Sequence, residues 1–513
     1  MPYSGARLGC HALSVATIFP GFAMRLARSS LVILAGCVVA ALCFGQEAVR
    51  PAASRTATAF AATRFRGAGS CSATACHGGI KSAEGAIARV RRNEHTTWMS
   101  SDPHSRAFQV LFDDRSERIE RGLEASDGEY TKASEDVRCL VCHTAPRPPA
   151  ELAATAWLNA DGVGCESCHG PSERWFGAHT TLAWNAQSRA EKEEQWGLWN
   201  TKNLARRASI CAGCHVGEHS ADGLSVRDVN HDMIAAGHPR LNFELCSSLD
   251  NLPEHWDEKD ENAGTLGPSH RSADFPARAW AIGRLTGAKA AIALLARRVA
   301  EAEAGPEPLA GHDSGARKRA ARWPELSEYG CFSCHHDLRD QVWRRGPRQG
   351  GVALGSPRWG TWILPATKEL LEEFAAKAEQ GGSVETLDQL VIAMEKPAAL
   401  PQIAAAARNA AGSLEKCQSG VAASRFDVAT IERLIDRIDN REAWDHVTSW
   451  DEAAGRYLAL VPLYQSWLAS TGGPSPKQKA LRDRLAALLE RLRFPNGSAS
   501  PAGFEAGQIT EKR

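Results

Sequence analysis

Apolar residues recur along much of the chain with the period of an α-helix. Between Phe275 and Glu303 they are spaced three and four positions apart, which places them on one side of a predicted helix. These residues are Leu285, Ala288, Ile292, Leu295 and Val299. The pattern predicts a mainly α-helical fold with little sheet.

The C-terminal region, residues 346–513, is also predicted to be helical. Its helices are expected to begin at the N-cap residues Asp427 and Ser475 and at a capping box formed by Ser449 and Glu452. They cover Ala366–Gln380, Asp427–Ile438, Tyr457–Leu468 and Pro476–Arg493. The last of them carries an apolar stripe, so we expect a packed helical cap, with a partner-docking module as the alternative. The stripe consists of Leu481, Leu485, Leu488 and Leu492.

Residues 1–45 have the layout of a leader with a signal peptide. Arg25 and Arg28 follow Met24, and residues 31–44 form an uncharged apolar run that is short for a spanning helix. Met24 is therefore the expected translation start, and we expect export to the periplasm. An uncleaved leader, or lipidation at Cys37, would instead anchor the protein to the membrane. We expect no later segment to be apolar enough to cross a bilayer.

The remaining chain divides by composition. Residues 46–66 are rich in Ala, Thr and Arg without a hydrophobic period, which predicts a flexible linker. Residues 67–345 contain all the cysteine motifs described below, and we expect them to form one domain. The 60 basic and 60 acidic residues give a formal net charge of zero, so a general role in binding nucleic acid has no support.

Ten of the 15 cysteines lie in a signature that recurs five times. Four copies have the form C-x-x-C-H, and the first copy has four residues between its cysteines. We number them in chain order. They are motif 1 (Cys71, Cys76, His77), motif 2 (Cys139, Cys142, His143), motif 3 (Cys165, Cys168, His169), motif 4 (Cys211, Cys214, His215) and motif 5 (Cys331, Cys334, His335).

C-x-x-C-H is the attachment signature of c-type haem. The two thiols form thioether bonds to the porphyrin vinyl groups, and the following His binds the iron as its proximal ligand. Four regular copies compare with roughly 0.01 expected by chance at this cysteine and histidine content. Zinc sites and redox-active cysteine pairs are the alternatives, but neither requires a His after every second Cys. The sequence therefore predicts five covalent haem c groups.

Several other histidines are candidates for the sixth, distal ligand of these irons. His104 follows a helix start at Asp102-Pro103 and shares a predicted helical face with Phe108 and Leu111. His179 is expected at the end of a helix that begins near Ser172. A hydrogen-bonded core histidine is the alternative for His104, and His95 is a further candidate ligand in that stretch.

A second group of distal candidates follows motif 4. His231 and His238 are seven residues apart and would share a face of one helix, which Pro239 ends. The alternative for His231 is a role in hydrogen bonding to a ligand or in contact with solvent.

These motifs together resemble multihaem cytochromes of the cytochrome c-552/c-554 and c-prime type. The resemblance rests on motif 1, the Trp98–His104 stretch, the Gly164–Pro171 stretch around motif 3, the Ala236–Glu244 stretch, and motif 5 with His336. It covers roughly residues 67–345. It implies a mainly helical fold, haems stacked in close pairs, irons that mostly bind two histidines, and electron transfer in a respiratory chain.

Two functions follow from these expectations. The first is a periplasmic electron carrier that exchanges electrons with redox partner proteins, because irons with two imidazole ligands change charge with little rearrangement. The alternative is a multihaem oxidoreductase that acts on a small nitrogen or sulfur compound at one haem with an open coordination position. Four distal candidates for five irons leave room for such a site, but we expect a carrier rather than a catalyst.

Overall fold

Helices form most of the chain in the computed structural model. The structure describes residues 64–82, 90–128, 130–147, 155–218, 225–256, 272–305, 323–331, 357–375, 383–445, 447 and 449–493. The β-type pairing within these residues consists of two isolated antiparallel bridges, Glu218–Arg227 and Tyr329–Trp359. The mainly α fold expected from the sequence is confirmed.

The α-helices are numbered in chain order among the described residues. They are α1 (Glu94–Ser101), α2 (Asp114–Asp127), α3 (Val137–His143), α4 (Cys165–His169), α5 (Leu182–Ala186), α6 (Arg189–Trp196), α7 (Leu204–His215), α8 (His231–Ala236), α9 (Leu245–Asn251), α10 (Phe275–Ala304), α11 (Thr367–Ala375), α12 (Val384–Met394), α13 (Leu400–Ala423), α14 (Val428–Ile438), α15 (Arg441–Asp445), α16 (Trp450–Ser470) and α17 (Pro476–Leu492).

The main apolar core surrounds α10, as the spacing of its apolar residues predicts. Leu285, Leu295 and Val299 are fully buried, and α10 packs against α7 on one side and against α13 and α16 on others. Arg298, also on α10, forms ion pairs with Asp228 and Glu328, so its charge is neutralised inside the structure. This core joins one motif-bearing helix, α7, to the C-terminal helices.

The predicted N-caps of the C-terminal region are confirmed. Asp427 accepts a hydrogen bond from the N–H of Thr430, and capping boxes begin α16 at Ser449 and α17 at Ser475. All four leucines of the α17 stripe are buried. Helices α12 and α13 were not predicted from the sequence, and α16 begins earlier than expected, at Trp450.

The part of the chain that carries motifs 1–4 has little apolar core of its own. Its separate clusters of buried apolar side chains are small, one around Leu111 and Leu140 and another around Ile119 and Met233. Short helices and turns dominate here, and the side chains between them belong largely to the cysteine and histidine motifs. The elements therefore surround a site rather than a conventional core.

Two predicted helices in this part are wrong. The helix expected to end at His179 is a series of turns with a single 3₁₀ turn, Ala178–Thr180. His231 and His238 do not share a helical face, because α8 begins at His231 and ends at Gly237, whose φ of 119° is left-handed. The turn after Asp102 is also a 3₁₀ helix, Pro103–Arg106, although Asp102 caps it as expected.

Several expectations lie outside the described residues. These are the leader at 1–45 with Met24 and Cys37, most of the linker at 46–66, and Cys334 and His335 of motif 5. The proposed domain boundary at 345/346 also falls there and stays a prediction.

One described helix, α10, is long and apolar enough to cross a membrane by length and composition alone. Its most apolar window has a mean hydropathy of 1.2, and 72% of that window is buried among the packed helices. The expectation that no segment after the leader reaches this threshold is wrong, because the core helix of a packed bundle is apolar on most sides.

Helix α12 offers a matched test of this packing. Leu390 is fully buried, whereas Ile392 on the same helix has 62% of its surface exposed. We expect Leu390→Ala to lower the free energy of unfolding by about 2–5 kcal/mol, because it leaves a cavity in the core. Ile392→Ala should change it by less than about 0.5 kcal/mol. Urea unfolding followed by far-UV circular dichroism measures both, and equal losses would contradict this packing.

Candidate haem-binding site

Motifs 2, 3 and 4 each occupy the C-terminal end of a helix, α3, α4 and α7, so that the two cysteines and the His share one turn. Motif 1 follows a 3₁₀ turn, Ala68–Cys71, and continues as a turn. Its wider spacing is closed by Gly78, where a Cβ atom would lie only 1.8 Å from the Ser72 carbonyl oxygen. Only glycine fits this approach of the backbone to itself.

A buried carboxylate ties the start of the described chain to motif 3. The Glu166 side chain accepts hydrogen bonds from the N–H groups of Arg66, Gly67 (2.8 Å) and Ser172 (2.6 Å). It thereby joins the segments on both sides of α4. Glu166 is one of the two residues between the cysteines of motif 3, so these contacts fix that motif directly.

Histidines that are distant in sequence face each other in three pairs. The ring centres of His77 and His179 are 6.4 Å apart, those of His104 and His215 are 6.0 Å apart, and those of His143 and His238 are 6.5 Å apart. Each pair joins the His of one motif to a predicted distal candidate. Histidine nitrogens bind metals at about 2.0–2.1 Å, so two imidazoles on opposite sides of one iron have their centres about 6.3 Å apart.

The planes of the paired rings differ. His77 and His179 are nearly parallel, with an angle of 15° between their planes. The planes of the other two pairs are nearly perpendicular, with angles of 87° in each. These angles distinguish motif 1 from motifs 2 and 4.

Hydrogen bonds at Nδ1 orient five of the six paired rings. His77 contacts a carboxylate oxygen of Glu94 and His104 one of Asp102, each at 2.9 Å. The other three lie near backbone carbonyl oxygens. His143 contacts Ala107 at 2.8 Å, His179 contacts Phe176 at 2.5 Å, and His238 contacts Pro239 at 2.8 Å. A bond at Nδ1 leaves Nε2 for a metal.

His215 is oriented differently, by ring stacking. Its imidazole lies on the ring of Phe243, with centres 5.7 Å apart and an angle of 26° between the planes. The Phe243 carbonyl in turn accepts a hydrogen bond from the Trp362 indole at 3.0 Å. The C-terminal region thus reaches the site through this contact.

A second contact of the C-terminal region holds the segment that follows His238. Arg240 forms an ion pair with Asp451 on α16, at 2.5 Å, and the Thr361 hydroxyl donates to the same carboxylate at 2.7 Å. Arg240 and Phe243 therefore connect the His238 segment to helices that carry no motif.

Hydrogen bonds to Glu94 and Asp102 raise the pKa values of His77 and His104. Burial has the opposite effect on other imidazoles of the site. It lowers the pKa of His169 to about 4, with the charge of His255 as the next cause, and it lowers that of His215 to about 4. The pKa values of His143 and His238 are lowered for the same reason. Neutral imidazole is the form that binds a metal.

Thiols of different motifs lie side by side. Cys71 and Cys165 are within hydrogen-bonding reach, which lowers the pKa of Cys71 to about 7. Cys142 and Cys214 are in similar contact, which lowers the pKa of Cys214 to about 6. Burial raises the pKa of Cys168 to about 12, with Cys211 as the next cause. The two thiol contacts place motif 1 beside motif 3 and motif 4 beside motif 2. The charge interaction of Cys168 with Cys211 indicates that motifs 3 and 4 are near each other.

All the cysteines and histidines of motifs 1–4 line one cavity of about 1670 Å³, together with His104, His179 and His238. Pockets for a single small molecule usually measure roughly 300–1,000 Å³. Imidazole pairs at the separation that one iron requires, in one cavity with the paired cysteines of motifs 1–4, fit haem c.

The other sequence candidates are placed differently. His169 of motif 3 shares the cavity wall with His255, which the sequence analysis did not single out. The count of four distal candidates for five irons is the signal that points to a further histidine. His231 begins α8, and its N–H donates to Glu325, near the start of the turn before Cys331 of motif 5.

The role of Glu166 can be tested directly. Glu166→Ala leaves the buried N–H groups of Gly67 and Ser172 without acceptors, and each such group costs about 1–3 kcal/mol. We expect amide hydrogen exchange at both positions to accelerate at least tenfold. Glu173→Ala is the control, because that carboxylate is exposed and, among the described residues, accepts only from Arg64. Similar exchange in both variants would contradict a special role for Glu166.

Comparison with known proteins agrees with this geometry. Residues 70–170, which include motifs 1–3, match the family model of cytochrome c554 and c-prime. No curated protein and no solved structure matches the chain. The match spans about one fifth of the chain, so it applies to that segment alone. Residues 70–170 are thus similar to the cytochrome c554 and c-prime family, a family of c-type cytochromes, which bind their haem covalently.

Proposed function

We propose that this protein is an exported multihaem cytochrome that binds five haem c groups and carries electrons between redox partner proteins in the periplasm. The observation that carries the proposal is the set of three imidazole pairs, each with ring centres 6.0–6.5 Å apart. Each pair would hold one iron from both sides, a ligand set suited to electron transfer because it changes little with oxidation state.

The residues have the following proposed roles. The ten cysteines of motifs 1–5 attach the haems, and His77, His143, His169, His215 and His335 are proximal ligands. His179, His238 and His104 are the distal ligands at motifs 1, 2 and 4. Bound haem c would supply an iron that gains and loses one electron.

His231 is the proposed distal ligand at motif 5. It stands at the start of α8, which packs against the Leu326–Glu328 turn that leads to Cys331. The hydrogen bond from its N–H to Glu325 fixes the backbone there at 2.8 Å. This contact keeps His231 near the segment that leads to Cys331.

The thiol contacts suggest the order in which electrons move. Thiols of motifs 1 and 3 are in contact at Cys71 and Cys165, and thiols of motifs 4 and 2 are in contact at Cys214 and Cys142. Cys168 of motif 3 and Cys211 of motif 4 interact through their charges. Electrons would therefore pass along the order 1–3–4–2, which differs from the order of the motifs in the chain. Partner proteins would exchange electrons at the ends of this series.

The mass and spectrum of the mature protein test the proposal. We expect the mass of the processed polypeptide plus five haems, and low-spin ferric signals in electron paramagnetic resonance (EPR). The parallel rings at motif 1 should give a rhombic signal, and the perpendicular rings at motifs 2 and 4 should give strongly anisotropic signals. A mature protein without bound haem would refute the proposal.

His238→Ala tests one ligand assignment. Removing this imidazole should convert one haem from low-spin to high-spin and remove one of the strongly anisotropic signals. His95→Ala is the matched control, because His95 is buried on the same cavity wall but packs against Trp98, with ring centres 5.5 Å apart. An unchanged spectrum in His238→Ala would remove His238 from the ligand set.

A second function, a reductase or oxidase for a small anion, is favoured by the surroundings of His169. The charges that act on it all come from basic residues, among them His255, Arg189 and Lys202. Such a cluster would attract an anionic substrate, although it would equally attract haem propionates. Added nitrite would shift a high-spin EPR signal if motif 3 binds substrate, whereas a fully low-spin protein that ignores nitrite would exclude this function.

A further inference from the structure

The hydrogen-bond acceptors at Nδ1 divide the three imidazole pairs into two classes. Motifs 1 and 4 each include one imidazole bound to a carboxylate, His77 with Glu94 and His104 with Asp102. Both imidazoles at motif 2, His143 and His238, contact neutral backbone carbonyls instead. The pairs at motifs 1 and 4 therefore each have a negative charge at one Nδ1, whereas the pair at motif 2 has neutral acceptors at both.

We infer that Glu94 and Asp102 are positioning residues that lower the reduction potential at motifs 1 and 4 relative to motif 2. This inference rests on the proposed function, since it requires haem at these motifs. A carboxylate that accepts the Nδ1 proton makes the imidazole a stronger donor at Nε2. A stronger donor stabilises the oxidised iron, and hydrogen bonding around the ligands is one of the means by which proteins set haem potentials.

Each carboxylate is fixed for this role by a second contact. Oδ1 of Asp102 accepts both from Nδ1 of His104 and from the His104 backbone N–H, each at 2.9 Å. Oε1 of Glu94 accepts the Arg91 N–H at 2.7 Å, which leaves Oε2 for His77. The Asp102 side chain is 5% exposed and that of Glu94 is 17% exposed, so water screens their charges weakly.

The consequence is a direction for electron flow. Reduction at each motif takes one electron from a partner protein, while the imidazole keeps its Nδ1 proton and both ligands stay in place. With motifs 1 and 4 at lower potential, electrons entering at motif 1 would collect at motif 2, the other end of the proposed series.

The test is an EPR-monitored redox titration of the haem-loaded protein. Glu94→Gln should shift the reduction equilibrium of the parallel-ring signal at least tenfold toward the reduced form, which is about 59 mV for one electron. Asp102→Asn should shift the reduction equilibrium of one of the two perpendicular-ring signals by a similar factor and leave that of the other unchanged. Asn can keep both hydrogen bonds of Asp102, of which the bond to the His104 N–H is the N-cap. This variant therefore changes little but the charge.

Matched variants separate this effect from a general change of charge. Glu173→Gln removes an exposed carboxylate that accepts a hydrogen bond from the Arg64 N–H. It should leave all signals within a twofold shift of the wild-type equilibrium. Glu94→Asp keeps the charge and should lie closer to wild type than Glu94→Gln.

Two results would overturn the inference. One is a shift in Glu94→Gln no larger than in Glu173→Gln together with unmoved signals in Asp102→Asn. The other needs no variant. In the wild-type protein, a haem with perpendicular rings must be reduced before the haem with parallel rings. The reverse order contradicts the assignment. A protein that lacks low-spin haem signals altogether would instead refute the proposed function.

Discussion

The orientation of the imidazoles by their Nδ1 atoms is the constraint on which the rest of the site depends. Five of the six paired rings have Nδ1 within 2.5–2.9 Å of an oxygen, and the sixth lies on an aromatic ring. A histidine ring without such a contact could turn about its side-chain bonds and would not face a partner. Because Nδ1 is engaged, Nε2 of each of the five rings is left available to bind a metal.

The same contacts explain why this part of the chain folds with so little apolar core. The oxygens that hold the rings come from short turns and from loop carbonyls, such as Ala107 and Phe176, rather than from long helices. Apolar packing is concentrated around α10, which touches both α7 and the C-terminal helices. The protein therefore has one region ordered by packed apolar side chains and another ordered by hydrogen bonds around its histidines.

Local features of the sequence predicted local structure well, and long-range pairing could not be predicted. The caps at Asp427, Ser449 and Ser475 depend on neighbouring residues, and each was correct. Helices α12 and α13 were missed. Helix α13 is rich in alanine, so its apolar and polar faces differ little in hydrophobicity. The shared helical face of His231 and His238 failed because Gly237 ends α8 between them. Which proximal His faces which distal His depends on residues far apart in sequence, and a single sequence carries no signal for it.

The contacts of Asp451 give the C-terminal helices a part in the chemistry, although they carry no motif. Asp451 forms an ion pair with Arg240, two residues after His238. The Trp362 indole donates a hydrogen bond to the backbone carbonyl of Phe243, whose ring stacks on His215. Loss of these helices by proteolysis would therefore remove the supports of His238 and His215, which are proposed ligands, as well as unfold a bundle. The colour of the protein would then report damage at its far end, because the absorption of a haem follows the ligands on its iron.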